Sequence, residues 1–183
     1  MNQIKPDFFI HTIDRNDIII DLNDAWLRFA LENDAPHLTY QAVVGRSLWA
    51  FIAGAETHHI YRLLLKQIRQ SQQRVVFTHR CDSPTLIRYV QMEIIPAANG
   101  IVEFRNQLLL QKQRDPVPLL DPAVQRTSEM LKMCSWCNRL LCDQMWLLLE
   151  EAINYLGLFG ASQLPQITHG ICPTCTLLFE DLR

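Results

Sequence analysis

Ile18-Ile19-Ile20-Asp21-Leu22-Asn23-Asp24-Ala25-Trp26 contains a strand, its exit and the start of a helix. The three β-branched residues favour extended backbone, and Asn23 is a good helix N-cap. Working outward, Asp7-Phe8-Phe9-Ile10-His11-Thr12-Ile13 is a second apolar run. The polar turn Asp14-Arg15-Asn16-Asp17 joins the two runs, and the pattern predicts a hairpin. Behind Asn23, the residues Trp26, Leu27, Phe29 and Ala30 fall on one helical face.

Further along, residues 33–40 read as a loop containing Pro36, and Gly45 precedes the short apolar segment 48–52. Residues 56–70 predict a longer helix, with Ile60, Leu63, Leu64, Gln67 and Ile68 as its inner stripe. Residues 74–80 and 86–95 read as strands separated by the turn Asp82-Ser83-Pro84. Asn99-Gly100 is a strong hairpin turn ahead of a last strand at 101–110. The expectation is an α+β unit over residues 7–110 with a five-stranded antiparallel sheet. Residues 111–122 hold Pro116, Pro118 and Pro122 and read as a linker. A small, mainly helical module follows at 123–183, with predicted helices at 121–133 and 146–158.

That module holds five of the six cysteines. Cys134-Ser135-Trp136-Cys137 and Cys172-Pro173-Thr174-Cys175 are two C-x-x-C pairs, separated by 34 residues. Each pair places two thiolates on one edge of a tetrahedron, and two pairs close it with no open position. That is the structural pattern for Zn2+, and Cys134, Cys137, Cys172 and Cys175 are the expected ligands. Cys142 and His169 stand nearby as spares. A redox dithiol is the rival reading of a C-x-x-C. A C-x-x-C-H string for covalent haem attachment is absent.

The strand-to-helix step at 18–26 and Val44-Gly45-Arg46-Ser47-Leu48-Trp49 resemble PAS domains. These have two strands, a helical stretch and three antiparallel strands around a pocket. The segments Met133-Cys134-Ser135-Trp136-Cys137-Asn138-Arg139, Trp146, Leu149-Glu150 and Thr168-His169-Gly170-Ile171-Cys172-Pro173-Thr174-Cys175 resemble a small zinc tail of bacterial PAS-containing signalling proteins. Leu140-Leu141-Cys142 departs from the polar stretch usual there. The resemblance implies a non-catalytic signalling or regulatory protein, with ligand sensing or protein interaction coupled to the zinc module. It also implies a protein partner and a homodimer formed through residues 101–110 and Leu119-Leu120. Trp26, Phe29, Trp49, Phe51, Tyr61 and Phe77 are the candidates to line the pocket, whose ligand the sequence does not name. Taken singly, such residues are more often plain core.

Composition bounds the alternatives. The chain has 183 residues, 49% hydrophobic, with a formal net charge of −2. From Gln113 onward it carries five Lys and Arg against eight Asp and Glu. This argues against nucleic acid as a partner and against the alternative of a zinc-dependent DNA-binding regulator, since duplex binding wants a basic face. There is no phosphate-binding glycine loop and no nucleophile elbow, so no enzyme is expected. Arg80-Cys81-Asp82-Ser83-Pro84 is either an anion-binding string or a turn, with Cys81 as a small hydrophobe or a redox thiol. His58 and His59 read as surface side chains. Residues 1–10 do not read as a signal peptide, and no apolar run is long enough for a membrane span. A cytoplasmic protein is expected.

Overall fold

The computed structural model describes residues 7–181. The opening residues 1–6 of the segment read above for a signal peptide lie outside them, as do the last two residues of the 123–183 module. Of the described residues, 7–53, 60–78 and 90–109 form one compact unit, and 54–59, 79–89 and 110–181 form another.

The first unit has the expected order of elements. Strands β1 (Phe9–Ile13) and β2 (Ile19–Leu22) are followed by helices α1 (Asp24–Glu32), α2 (Tyr40–Val43) and α3 (Ala55–Ser71). Strands β3 (Val75–Arg80), β4 (Leu86–Pro96) and β5 (Val102–Gln113) complete an antiparallel sheet of order β2-β1-β5-β4-β3. Asp14 makes the first turn: its carboxylate accepts from the backbone N–H groups of Asn16 and Ile18. Asn23 does more than cap α1. Its Oδ1 accepts from Trp26 N and from Ile10 N, both at 2.9 Å, and its Nδ2 donates to Phe8 O at 2.7 Å. One side chain thus fastens the helix start to β1. We expect Asn23→Ala to lower stability by ~1–2 kcal/mol, the upper part of the range for an N-cap, because β1 loses its anchor as well; a urea melt measures it.

Gly45 adopts φ 87°, a left-handed conformation that suits glycine. There its N–H donates to Ile19 O at 2.8 Å, while Ile19 N donates to Arg46 O at 2.9 Å. The 44–49 step is thereby tied to β2. The buried face of α3 is Leu64, Leu65 and Ile68. Leu65 replaces the expected Ile60 and Leu63, which are half-buried, because the helix is rotated so that Tyr61, Leu64, Leu65 and Ile68 share a face. Asn99 and Gly100 take φ 61° and 77° in the expected turn. Residues 40–43, placed at the edge of a loop by the sequence reading, form α2 with Thr39 as N-cap.

The second unit corrects two expectations. It is built on a four-stranded sheet of order β8-β7-β6-β9, with two helices, rather than being mainly helical. Residues 121–133 are not a helix: after Asp121 the chain enters β6 (Arg126–Cys134). β7 (Leu140–Cys142) pairs antiparallel to β6, and β8 (Met145–Leu147) pairs antiparallel to β7. The expected helix at 146–158 is cut to α4 (Leu149–Tyr155), since Trp146 pairs with Leu141 in the sheet. β9 (Leu164–Gly170) then runs parallel to β6, and α5 (Pro173–Asp181) ends the described chain.

Segment 111–122 is ordered. β5 continues to Gln113, Val117 N donates to Pro84 O at 2.9 Å, and Pro118–Leu120 is a 3-10 turn. Val117 and Leu119 are buried in the core of this unit with Leu131, Met133, Leu140, Cys142, Leu149, Ala152 and Leu164. Leu119 is therefore not available as a dimer surface, and Leu120 is half-buried. Within 101–110, Val102, Phe104 and Asn106 are buried, and only Leu108, Leu109 and Leu110 are exposed as large apolar side chains.

Candidate metal centre and cavity

The parallel pairing of β6 with β9 builds the cysteine cluster. Parallel strands end on the same side of a sheet, and they require a long crossover connection. β7, β8 and α4 make up that connection, which accounts for the long gap between the C-x-x-C pairs. In register, Met133 lies opposite His169, and Cys134 lies opposite Gly170. Both pairs thus leave the sheet at one end.

The first pair sits in the β6–β7 turn, where Cys134 N donates to Arg139 O at 2.8 Å and Asn138 N to Cys134 O at 3.0 Å. Asn138 closes the turn at φ 58°, a conformation that asparagine tolerates better than most residues. The second pair straddles the start of α5. Pro173 occupies the first helical position, where its missing N–H costs nothing. Cys175 lies in the first turn, where the helix dipole favours a thiolate.

The four sulfurs of Cys134, Cys137, Cys172 and Cys175 lie within 4.8 Å of one another, with Cys137 Sγ and Cys172 Sγ 3.6 Å apart. Thiolates at ~2.3 Å from one zinc ion would lie ~3.8 Å apart along each tetrahedral edge. The cluster fits a structural metal. Cys134, Cys172 and Cys175 are buried and Cys137 is half-buried. Cys172 N donates to Cys134 Sγ at 3.4 Å, a backbone contact that suits a thiolate. Thiol donation from Cys137, then Cys175, pulls Cys134 down. Cys134 in turn is the leading cause that pushes Cys137 and Cys175 up. Four thiolates packed this closely repel one another, and a bound cation relieves that repulsion.

The spare candidates lie elsewhere. Cys142 is a buried core residue of β7. His169 is half-buried on β9, its Cβ 3.0 Å from where a side chain on Gly54 would begin. Residues distant in the chain brace the first turn. Ser135 Oγ and Thr57 Oγ1 share a hydrogen bond of 2.6 Å, and Arg80 N donates to Trp136 O at 2.7 Å. These partners come from segments 54–59 and 79–89, and no local signal marks them.

Arg80-Cys81-Asp82-Ser83-Pro84 resolves into a turn around an anion supplied by the chain itself. Ser83 and Leu86 exchange backbone hydrogen bonds. The Asp82 side chain is fully buried; it pairs with Arg80, and with Arg114 at 3.2 Å. Arg114 reaches on to Glu150 at 3.2 Å. Asp82 Oδ1 also accepts from Arg88 N. Cys81 is half-buried, and burial pushes its thiol up, opposite to the shift of a reactive cysteine. His59 is exposed and His58 half-buried.

The first unit holds a cavity of about 170 Å³. Trp26, Phe51 and Tyr61 line it, together with His11 and Phe104. Phe29, Trp49 and Phe77 do not line it. Phe29 stacks on Phe9 with ring centres 4.3 Å apart, and Trp49 Nε1 donates to Asp17 at 3.0 Å. Phe77 is half-buried on β3. His11 is missing from the sequence candidates because a lone histidine in a strand carries no signal of burial.

Burial holds the His11 imidazole down at about 4. The unfolded chain takes up this proton near the ordinary histidine value of 6.5, so the stability it contributes is complete above 6.5 and is lost as pH falls toward 4. The loss amounts to ~3 kcal/mol for a shift of this size. We expect His11→Phe to flatten the fall in urea midpoint between pH 6.5 and 4; an unchanged slope would contradict this assignment.

No family model matches the chain, and no curated protein matches it. Among solved structures, it is similar to a domain of an HTR-like protein from Haloarcula marismortui. Identity there is 15% and TM-score 0.39, over 57% of this chain and 99% of that one. The PAS domain of the Cronobacter turicensis RpfR quorum-sensing receptor is similar too. Its complex with C12:0 gives 14% identity and TM-score 0.39, and its complex with BDSF gives 14% and 0.38. Each covers 59% of this chain and 99% of the receptor domain. Likeness at this level carries nothing about activity. No helix among the described residues is long and apolar enough to cross a membrane.

Proposed function

We propose that the chain is a non-catalytic signalling or regulatory protein. Its first unit is a PAS-like sensor or protein-interaction domain, and its second unit is held together by one structural Zn2+ on Cys134, Cys137, Cys172 and Cys175. The observation that carries this reading is the cluster of four sulfurs at the common end of β6 and β9. A closed four-thiolate site leaves no position for substrate, which distinguishes a structural metal from a catalytic one. The apolar cavity between sheet and helices supports the sensing part.

Native purification tests both parts. Elemental analysis reads the metal, and mass spectrometry of the released small molecules reads a co-purified ligand. A redox protein would instead show, after denaturation, six titratable thiols in the reduced form and two in the form with both C-x-x-C pairs oxidised, with no zinc in either.

The protein partner and the homodimer belong to the same proposal. The exposed run Leu108 and Leu109 at the end of β5 supports an apolar contact of the first unit. We expect a dimeric mass by light scattering at tens of micromolar, and a shift toward monomer in Leu108→Glu combined with Leu109→Glu. A monomeric wild type removes the homodimer.

A further inference from the structure

The cavity in the first unit has a lining that says what fits it. Its walls are apolar residues of the sheet and helices, Ile19, Leu22, Val43 and Phe104 among them. No Lys, Arg, Asp or Glu lines it. Three side chains bring a polar nitrogen or oxygen: His11, Trp26 and Tyr61. His11 lies flat on Phe104, with ring centres 4.5 Å apart and planes 8° from parallel. Its Nδ1 is buried without a hydrogen-bond partner. Tyr61 Oη has Met92 Sδ at 3.9 Å, a weak acceptor for a phenolic hydroxyl. Two polar groups of this small cavity are therefore underused in an apolar setting, where unsatisfied groups are costly.

Size and charge narrow the occupant. A dry cavity of ~150 Å³ lined by aliphatic and aromatic side chains takes a benzene-sized guest, and this one is about 170 Å³. An anion entering it meets no cation. Burial keeps His11 neutral at pH 7, so a carboxylate would be desolvated without a counter-charge.

We propose that the cavity binds a small, uncharged, single-ring molecule carrying one hydroxyl or N–H, oriented by hydrogen bonds to the His11 imidazole and the Tyr61 hydroxyl. This rests on the reading of the first unit as a sensor and specifies its ligand class. Neutral imidazole has one donor nitrogen and one acceptor nitrogen, and Tyr61 both donates and accepts. A hydroxyl on the guest can therefore accept from one and donate to the other. The ring fills the apolar space against Phe104 and Phe51.

Calorimetric titration of the zinc-replete full chain at pH 7 with phenol, toluene and benzoate tests the proposal. Phenol is expected to bind saturably and raise the melting temperature. Toluene should bind about tenfold more weakly, the worth of one buried hydrogen bond, and benzoate should not bind. His11→Phe keeps an aromatic ring against Phe104 and removes both nitrogens. It should bring phenol down to the affinity of toluene and leave toluene unchanged; Tyr61→Phe should act in the same direction. Near-UV circular dichroism confirms that each variant is folded. Benzoate binding as tightly as phenol, or a phenol preference that survives in both variants, overturns the ligand class and leaves the sensor reading standing. Failure of all three compounds to bind overturns this use of the cavity, and the sensor reading then depends on whatever ligand mass spectrometry recovers from the native protein.

Discussion

Metal-replete protein should contain one zinc ion per chain, and Cys134→Ser should lose it and unfold the second unit. Serine preserves the size of the side chain and the backbone N–H to Arg139 O, so the change tests the sulfur rather than the packing. Structural zinc on thiolates contributes ~10–16 kcal/mol of apparent binding free energy at neutral pH, more than the whole stability of an ordinary domain. The loss should spread through the unit. Residues 54–59 and 79–89 belong to it as well as 110–181, and Thr57 and Arg80 bond directly to the first cysteine turn. Hydrogen exchange should therefore show lost protection in all three segments. The first unit has its own buried core, including Ile13, Leu64, Ile94 and Phe104, and β1 and α1 should remain protected. A wild type holding less than roughly half an equivalent of metal, or a Cys134→Ser protein that keeps both zinc and protection, would sink the structural-zinc reading.

The second large effect is expected at Asp82. Its side chain is 0% exposed and answers two arginines, Arg80 and Arg114, each 8% exposed. Removing the carboxylate leaves two buried cations without their main partner. Breaking a buried ion pair from one side costs ~3–5 kcal/mol, because the stranded charge cannot return to water. Asp82→Ala should lower the urea-derived stability of the zinc-bound protein by that amount. Glu150 touches the same Arg114 from a position 48% exposed, where solvent screens the pair, so Glu150→Ala should cost at most ~1 kcal/mol. Equal losses at the two sites would show that Asp82 is not the centre of the network.

By itself the sequence determined the features whose physics is local. The turn at 14–17, the cap at Asn23 and the left-handed turn at Asn99-Gly100 depend on side chains within a few residues of the backbone they shape. The four cysteines were legible because a C-x-x-C brings its two sulfurs together whatever surrounds it. The tertiary structure decided what depends on distant partners. Residues 126–134 are a strand because β9 pairs with them from more than thirty residues away. The alternation of buried Leu131, half-buried Lys132 and buried Met133 was the one local sign of it, and the wider apolar spacing from Val124 to Met133 suited a helix as well. Leu119 looked like an exposed apolar residue in a proline-rich spacer, and it is core because Leu131, Leu149 and Leu164 close over it. Asp82 could be read as a turn former; its partner Arg114 lies 32 positions along the chain, and Glu150, which Arg114 also reaches, lies a further 36. His11 carried no local mark at all. Burial against Phe104 makes it neutral and leaves its Nδ1 unpartnered, and burial is a property of the folded chain.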